Sequence, residues 1–241
     1  MDTLYIVIPA YNEEATILSV INQWYPVVEK VGGDSRLVIV NDGSKDSTLS
    51  LVQRAAGIRP RLIPLDKENG GHGAAVLFGY QYALEHGADF VFQTDSDGQT
   101  LPEEFLPFWE QRQDYDLIIG HRKGRQDGFS RVVVTKTLKA VIAACFGVSV
   151  RDANTPYRLM SAQTLRENIQ LIPQGFNLSN VILTVVYTKK HMRILYIPIT
   201  FQPRQGGVNS INLPKICKIG LQALADFRRI NRSINESLRA K

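Results

Sequence analysis

Apolar residues in this chain fall into two rhythms that alternate through its first half. Leu4-Tyr-Ile-Val-Ile8, Leu37-Val-Ile-Val40, Arg61-Leu-Ile-Pro-Leu65, Phe90-Val-Phe-Gln-Thr-Asp95 and Asp116-Leu-Ile-Ile-Gly120 are short apolar runs bounded by turn residues. That is the pattern of strands buried on both faces. Pro9 is expected to stop the first run, and Pro64 to weaken the third. Between the runs the spacing turns helical. Ile17, Ile21, Trp24 and Val28 share one face of a helix starting near Glu13, a second helix is expected from about Gly73 to His86, and Pro102 opens a third. The loop Asn41-Asp-Gly-Ser-Lys-Asp46 can cap the helix that follows the second strand. Alternation of this kind predicts an α/β fold, a mainly parallel central sheet with helices on both faces.

Beyond Arg122 the rhythm breaks. A basic, Gly-containing loop leads to an apolar helix from about Arg131 to Phe146, then to the polar segment Arg151-Asp-Ala-Asn-Thr-Pro156. A helix near Asn180 to Lys190, a strand near Ile194 to Ile199, a loop through Arg204-Gln-Gly-Gly207 and a helix from about Leu213 follow. No repeat or low-complexity linker divides the chain. One domain, 1–241, is expected, with parts at 1–122 and 123–212 and a basic C-terminal helix at 213–241. In that helix Ile211, Leu213, Ile216, Ile219 and Leu224 are interleaved with Lys215 and Lys218, which suits an anionic membrane surface and packing on the core equally well.

Composition changes this picture little. Of 241 residues, 44% are hydrophobic and 21% charged, ordinary for a globular domain. The net charge of +5 is uneven, with Lys215, Lys218, Arg228, Arg229, Arg232, Arg239 and Lys241 gathered in the tail. Anionic lipid is one partner such a tail would meet, and a solvated helix face is the plainer account; nucleic acid is not expected. Cys145 and Cys217 are the only cysteines and lack metal or redox spacing, which fits a reducing compartment. The start, Met-Asp-Thr-Leu, does not read as a signal peptide, and the longest apolar stretch, Ala140 to Val150, is about half a bilayer span. A cytoplasmic protein, free or peripheral on a membrane, is expected. Oligomeric state stays open.

Candidate chemistry gathers at the expected strand ends, where open α/β sheets bind ligands. Asp95 and Asp97 are one residue apart, so in an extended segment they point to the same side and can converge. Paired carboxylates repel unless a cation sits between them, and such hard oxygen donors suit Mg²⁺ or Mn²⁺ with positions left for a phosphorylated substrate. A polar turn explains the same residues more plainly. Ala10-Tyr-Asn-Glu-Glu14, Asn41-Asp42-Gly-Ser and Asp66-Lys-Glu-Asn69-Gly-Gly71-His-Gly73 end the other strands, so polar residues collect on one rim. Gly71-His-Gly73-Ala-Ala-Val76 begins like a dinucleotide fingerprint but carries Val76 where Gly or Ala is required, and no P-loop is present. These glycines are better suited to letting backbone approach a flat or phosphorylated ligand. His72, His86, His121 and His191 lack zinc spacing and read as structural, with only His72 near the expected site.

Ile8-Pro-Ala-Tyr-Asn-Glu-Glu14, Val40-Asn-Asp-Gly-Ser-Lys-Asp-Ser-Thr48, Asn69-Gly-Gly-His-Gly-Ala-Ala75 and Thr94-Asp-Ser-Asp-Gly-Gln99, in that order, resemble the family 2 glycosyltransferases of GT-A fold. Within the family the likeness is to the dolichyl- or polyprenyl-phosphate sugar synthases. Asp152-Ala-Asn-Thr-Pro-Tyr-Arg158 and Arg204-Gln-Gly-Gly-Val-Asn-Ser210 extend it more loosely, with Thr155-Pro-Tyr157 replacing the usual Ser-Gly-Phe.

The resemblance implies a nucleotide-sugar-binding half, 1–122, and an acceptor-side half, 123–212. Asp42 would bond the nucleobase or ribose, framed by Pro9, Tyr11 and Glu13, with Asn69, Gly70, Gly71 and Asp95 also on the nucleotide-sugar. Asp95, Asp97 and Gln99 would hold the metal ion. Arg122, Arg131, Asp152 and Arg158 would be catalytic, Asp152 as general base for a hydroxyl acceptor or as a positioning group for a phosphate. Arg204 would meet the acceptor phosphate. The activity so implied is inverting, metal-dependent transfer of a sugar from a UDP- or GDP-linked donor to a polyprenyl phosphate. A glycan, protein or small-molecule hydroxyl is the alternative acceptor. A sugar-phosphate nucleotidyltransferase is a remote alternative, since Pro9-Ala-Tyr-Asn-Glu-Glu14 is unlike that class's Gly-rich loop.

Overall fold

A computed structural model describes residues 2–122, 129–173, 175–203 and 213–239; within it the side chains of 129–136 and 213–225 lie outside the description. The strands are β1 (Leu4–Ala10), β2 (Arg36–Asp42), β3 (Leu62–Lys67), β4 (Phe90–Gln93), β5 (Leu117–Arg122), β6 (Arg158–Ser161) and β7 (Ile194–Ile199). The helices are α1 (Ile17–Val31), α2 (Thr48–Ala56), α3 (His72–Glu85), α4 (Leu106–Glu110), α5 (Phe129–Phe146), α6 (Ala162–Ile169), α7 (Ser179–Lys189) and α8 (Leu213–Arg239). The strands form one sheet in the order β3-β2-β1-β4-β6-β5-β7. Only β6 runs antiparallel to its neighbours, β4 and β5. The mainly parallel α/β sheet expected from the sequence is present.

Three departures bear on the site. Pro9 does not end β1, which continues to Ala10. β4 is short and pairs only with Leu4 to Val7, so at Pro9 one flank of β1 has no ladder to interrupt. β4 stops at Gln93, so Asp95 and Asp97 sit in the turn beyond the strand, where Gly98 takes a φ of 70°. Strand β6 and helix α6 were not anticipated. Four residues, Arg-Leu-Met-Ser, carry no rhythm of their own and begin with a charge.

Apolar side chains fill both faces of the sheet. On one face Trp24 of α1 packs against Phe92, Phe105 and Tyr157, and the expected stripe Ile17, Ile21, Trp24, Val28 is buried. On the other, α3 lies close to the strands. A Cβ at Gly79 would come within 2.4 Å of Val7 Cγ1 and 2.9 Å of Val40 Cγ2. That close seat fixes the N-terminal end of α3 beside the C-terminal ends of β1 and β2. Both edge strands contain a proline, Pro64 in β3 and Pro198 in β7, which guards a sheet against pairing with other chains.

Phe227, Ile230 and Ile234 of α8 are buried in the same layer as α3, α5 and α7. The described part of the C-terminal helix therefore packs on the core. Ile211, Leu213, Lys215, Ile216, Lys218, Ile219 and Leu224, named above for its amphipathic face, lie outside the described side chains. Among the described residues no helix is long and apolar enough to cross a membrane.

Candidate active site

Four loops meet at the C-terminal ends of β1, β2, β3 and β4. Asp42, the last residue of β2, is 2% exposed, and its carboxylate is held in a cradle. Gly70 N donates to Oδ1 at 2.9 Å and Gly71 N to Oδ2 at 2.8 Å, while Lys67 Nζ reaches Oδ1 at 2.7 Å. Asn69 Nδ2 adds a bond to the Asp42 main-chain carbonyl at 2.8 Å. The glycines serve geometry here. Gly71 sits at φ 87°, and a Cβ on Gly73 would lie 2.1 Å from the Phe176 carbonyl oxygen. A carboxylate offers about four acceptor positions, so three donors leave Asp42 one more bond to make.

The β1–α1 loop is sewn to the β2–α2 loop. Asn12, in left-handed backbone at φ 54°, donates its N–H to Ser44 Oγ at 3.0 Å and accepts from Lys45 N at 2.8 Å. Glu14 accepts from Ser47 N at 3.0 Å. Glu13 is buried, its carboxylate accepting from Thr16 Oγ1 at 2.9 Å and its N–H donating to Thr48 Oγ1 at 2.8 Å. Pro9 is buried beside it, whereas the Tyr11 ring is 44% exposed on the rim. Of this trio, Tyr11 presents a surface a flat ligand could meet. Glu13 holds the loop.

Asp95 and Asp97 lie half-buried in the turn after β4. His72 Nε2, at the first position of α3, stands 3.0 Å from Asp95 Oδ1. Partial desolvation pushes the pKa of His72, whose side chain is 48% exposed, down, but Asp95 together with the fields of Asp97 and Asp42 raises it above the usual imidazole value. The net effect reports a strongly negative corner. Among the described residues no three His, Cys, Asp or Glu side chains close into a metal site by themselves. A pair of carboxylates with open positions is nevertheless the donor set of an ion that also takes diphosphate oxygens. The residues present fit Mg²⁺ or Mn²⁺ on those terms.

Gln99, expected at the metal, also joins two segments. Its carboxamide nitrogen donates to the Gln202 carbonyl at 2.7 Å, and Gln202 N returns a bond to the Gln99 carbonyl at 2.8 Å. It ties the acidic turn to the segment leaving β7. Across the rim, Arg122 ends β5 and grips Asp152 with two bonds, Nε to Oδ2 at 3.2 Å and Nη2 to Oδ1 at 3.1 Å. The guanidinium lies over the Phe201 ring, 5.1 Å from its centroid.

Arg158 requires a correction. Placed among the catalytic residues from the sequence, it is fully buried as the first residue of β6. Its donors go to the carbonyls of Ala153, Thr155 and Asn180 and to Thr184 Oγ1. A side chain so enclosed presents no surface to the rim in this structure. The side chain of Arg131 and the whole of Arg204 lie outside the described residues. Lys67 was missed as a site residue, and His72, expected near the site, was read as structural only. Lys67 stands opposite Asp42 in the β2–β3 register, a signal that appears only once β3 extends past Leu65. His72 carried a weaker one, its place between two glycines at a helix start.

The pattern of "Glycosyl transferase family 2" matches residues 5–180. The chain belongs to that family. Among curated relatives, an undecaprenyl-phosphate 4-deoxy-4-formamido-L-arabinose transferase of Pectobacterium atrosepticum is 33% identical over 150 residues, covering 61% of this chain and 45% of the relative. Its namesake from Edwardsiella ictaluri is 23% identical over 218 residues, covering 89% of this chain and 64% of the relative. The glycosyltransferase thus spans less than two thirds of their length. Among solved structures, glucosyl-3-phosphoglycerate synthase of Mycobacterium tuberculosis, in complex with Mn²⁺, UDP-glucose and phosphoglyceric acid, superposes with a TM-score of 0.68 at 21% identity. That match covers 95% of this chain and 80% of that one. The same enzyme with Mn²⁺, UDP and phosphoglyceric acid gives 0.67 at 20% identity, over 95% and 78%. At that identity the likeness fixes the fold, which is GT-A.

Proposed function

We propose that this glycosyltransferase moves a sugar, with inversion, from a nucleotide-sugar to a polyprenyl phosphate, using Mg²⁺ or Mn²⁺ held by Asp95 and Asp97. The carrying observation is the juxtaposition on one rim of the caged Asp42 carboxylate, the acidic turn and the Arg122–Asp152 pair. The last acceptor position of Asp42 would take an N–H of the base or a ribose hydroxyl, with the exposed Tyr11 ring alongside. The ion, when bound, would neutralise charge on the departing nucleoside diphosphate. Asn69 and the backbone of Gly70 and Gly71 would line the path of that diphosphate.

Asp152 favours a phosphate acceptor. Each of its oxygens accepts one bond from Arg122, a two-point grip that suits a group held in place to position another. A hydroxyl acceptor needs a general base; a phosphate is ionised beforehand and needs positioning. Arg122, with Arg131 and Arg204 from the sequence expectation, would supply guanidinium forks to phosphate oxygens. The names of the curated relatives support a polyprenyl phosphate as its carrier.

The test is transfer from a panel of UDP- and GDP-sugars, with Mn²⁺, to undecaprenyl phosphate in detergent, beside soluble hydroxyl acceptors. The expected product is a lipid-linked sugar, with Asp97→Ala at least about a hundredfold slower, as befits loss of several kcal/mol of charge stabilisation. Transfer to soluble hydroxyls alone would refute the acceptor assignment. Full activity in Asp97→Ala would refute the metal assignment.

A further inference from the structure

Arg158 is enclosed, and its guanidinium makes five hydrogen bonds. It is 0% exposed, and among the described residues no carboxylate forms an ion pair with it. Nε donates to the Thr155 carbonyl at 3.0 Å and Nη2 to the same oxygen at 2.7 Å. Nη2 also reaches the Ala153 carbonyl at 3.2 Å, and Nη1 the Asn180 carbonyl at 3.0 Å and Thr184 Oγ1 at 3.4 Å. Thr184 Oγ1 shares its single hydrogen between the Asn180 carbonyl at 2.9 Å and the Ala153 carbonyl at 3.1 Å. One planar fork thus spans the Asp152–Thr155 turn and fastens it to the first turns of α7.

The sheet places this fork between the two halves of the site. Arg158 is the register partner of Gln93 in β4, two residues before Asp95, and of Ile119 in β5, three before Arg122. An apolar side chain of similar volume would fill the position with less desolvation. What it would lack is a set of directed bonds to the turn, and a fixed positive charge beneath the rim. Burial lowers the guanidinium's pKa, and Tyr80, Asp152, Tyr196 and Asp95 act against that.

We infer that Arg158 is a positioning residue, a buried clamp that sets Asp152, and through it Arg122, at the distance from the acidic turn that sugar transfer requires. This rests on the proposed transfer reaction, because it assigns Arg122 and Asp152 to the acceptor. A lysine at 158 keeps the charge but not the fork. Thr184→Val keeps shape and removes one of the two bonds to Ala153.

Two measurements on the full chain test it. In steady-state kinetics, Arg158→Lys is expected to lower kcat at least thirtyfold with donor KM changed less than threefold, and Thr184→Val to lower kcat three- to tenfold in the same pattern. Hydrogen exchange is expected to show lost amide protection at 153–155 and 180–184 in Arg158→Lys, with 95–99 and the Gly70–Gly71 cradle unchanged. A kcat within threefold of wild type in folded Arg158→Lys would overturn the clamp, as would kcat and donor KM deteriorating together. If Arg158→Lys does not fold, an unaltered kcat in Thr184→Val overturns it. If the wild type transfers sugar to no lipid phosphate, the acceptor proposal fails by itself, and unchanged protection at 153–155 in either variant then decides against the clamp.

Discussion

The two sides of this rim, proposed above to hold the donor and the acceptor, are built by different means. On the donor side, neighbouring parallel strands deliver Asp42, Lys67 and the Gly70–Gly71 amides within a few residues of their own ends, and backbone N–H groups do most of the holding. On the acceptor side, Arg122 comes from β5, Asp152 from a turn, and the side chain that fixes that turn from antiparallel β6, reaching onto α7. The first arrangement follows from strand order and local turns. The second depends on one buried ion and on contacts between distant parts of the chain.

The sharpest way to break the donor side is to remove Asp42. Asp42→Ala leaves the part-buried Lys67 ammonium and the Gly70 and Gly71 amides without their shared acceptor. Removing one partner of a buried pair typically costs about 3–5 kcal/mol. The expected result is a fall in unfolding free energy of that order, read from a lower denaturant midpoint at unchanged m, together with loss of the stabilisation that a nucleoside diphosphate gives the wild type by mass action. A variant as stable as wild type that still binds nucleotide would show the cradle to be incidental.

Legibility in the sequence divides along the same line. The parallel strands are continuous apolar runs, and each ends in residues whose turn chemistry is readable, so Asp42, Asn69 to Gly71 and Asp95 could be named before any coordinates. The roles of Lys67 and Gln99 were hidden because they depend on where a strand stops and on a partner more than 100 residues away, Gln202. Arg158 entered the expected site through the family resemblance, and only packing shows that its charge is enclosed and its donors engaged. Strand β6 escaped because its stability comes from β4 and β5 on either side rather than from its own four residues.

Gly73 offers a milder break where the two sides touch. A Cβ there would lie 2.1 Å from the Phe176 carbonyl oxygen and 2.8 Å from Asn177 Cα, both backbone atoms that cannot rotate away. Gly73→Ala must push the α3 start and the 175–178 segment apart, at about 1–3 kcal/mol for an overpacked contact. Because α3 also supplies His72 to Asp95, nucleotide affinity is expected to fall with stability. Unchanged thermal stability in Gly73→Ala would mean that this junction is looser than its distances imply.

The smallest effect lies on the far rim, where the strands begin, and serves as a control for both sides. Asp116 accepts from Arg193 N at 2.9 Å and from the Arg193 guanidinium, with Nη2 to Oδ1 at 2.9 Å. Burial raises the carboxyl pKa, but the bonds and charge of Arg193 outweigh it and leave the value below the usual range. A carboxyl with a depressed folded pKa adds stability that is full above its unfolded pKa of about 4 and disappears as pH falls through the folded value. Asp116→Asn should therefore lower the melting temperature slightly at pH 7, by roughly a degree or two as for a mostly solvated pair, and leave it unaltered near pH 2. Sugar transfer at pH 7 should not change, since neither residue lies on the rim that holds Asp42 and Asp152. A loss of turnover in Asp116→Asn comparable to that in Asp42→Ala would show the two rims to be coupled, and the division into separately held donor and acceptor sides would have to be abandoned.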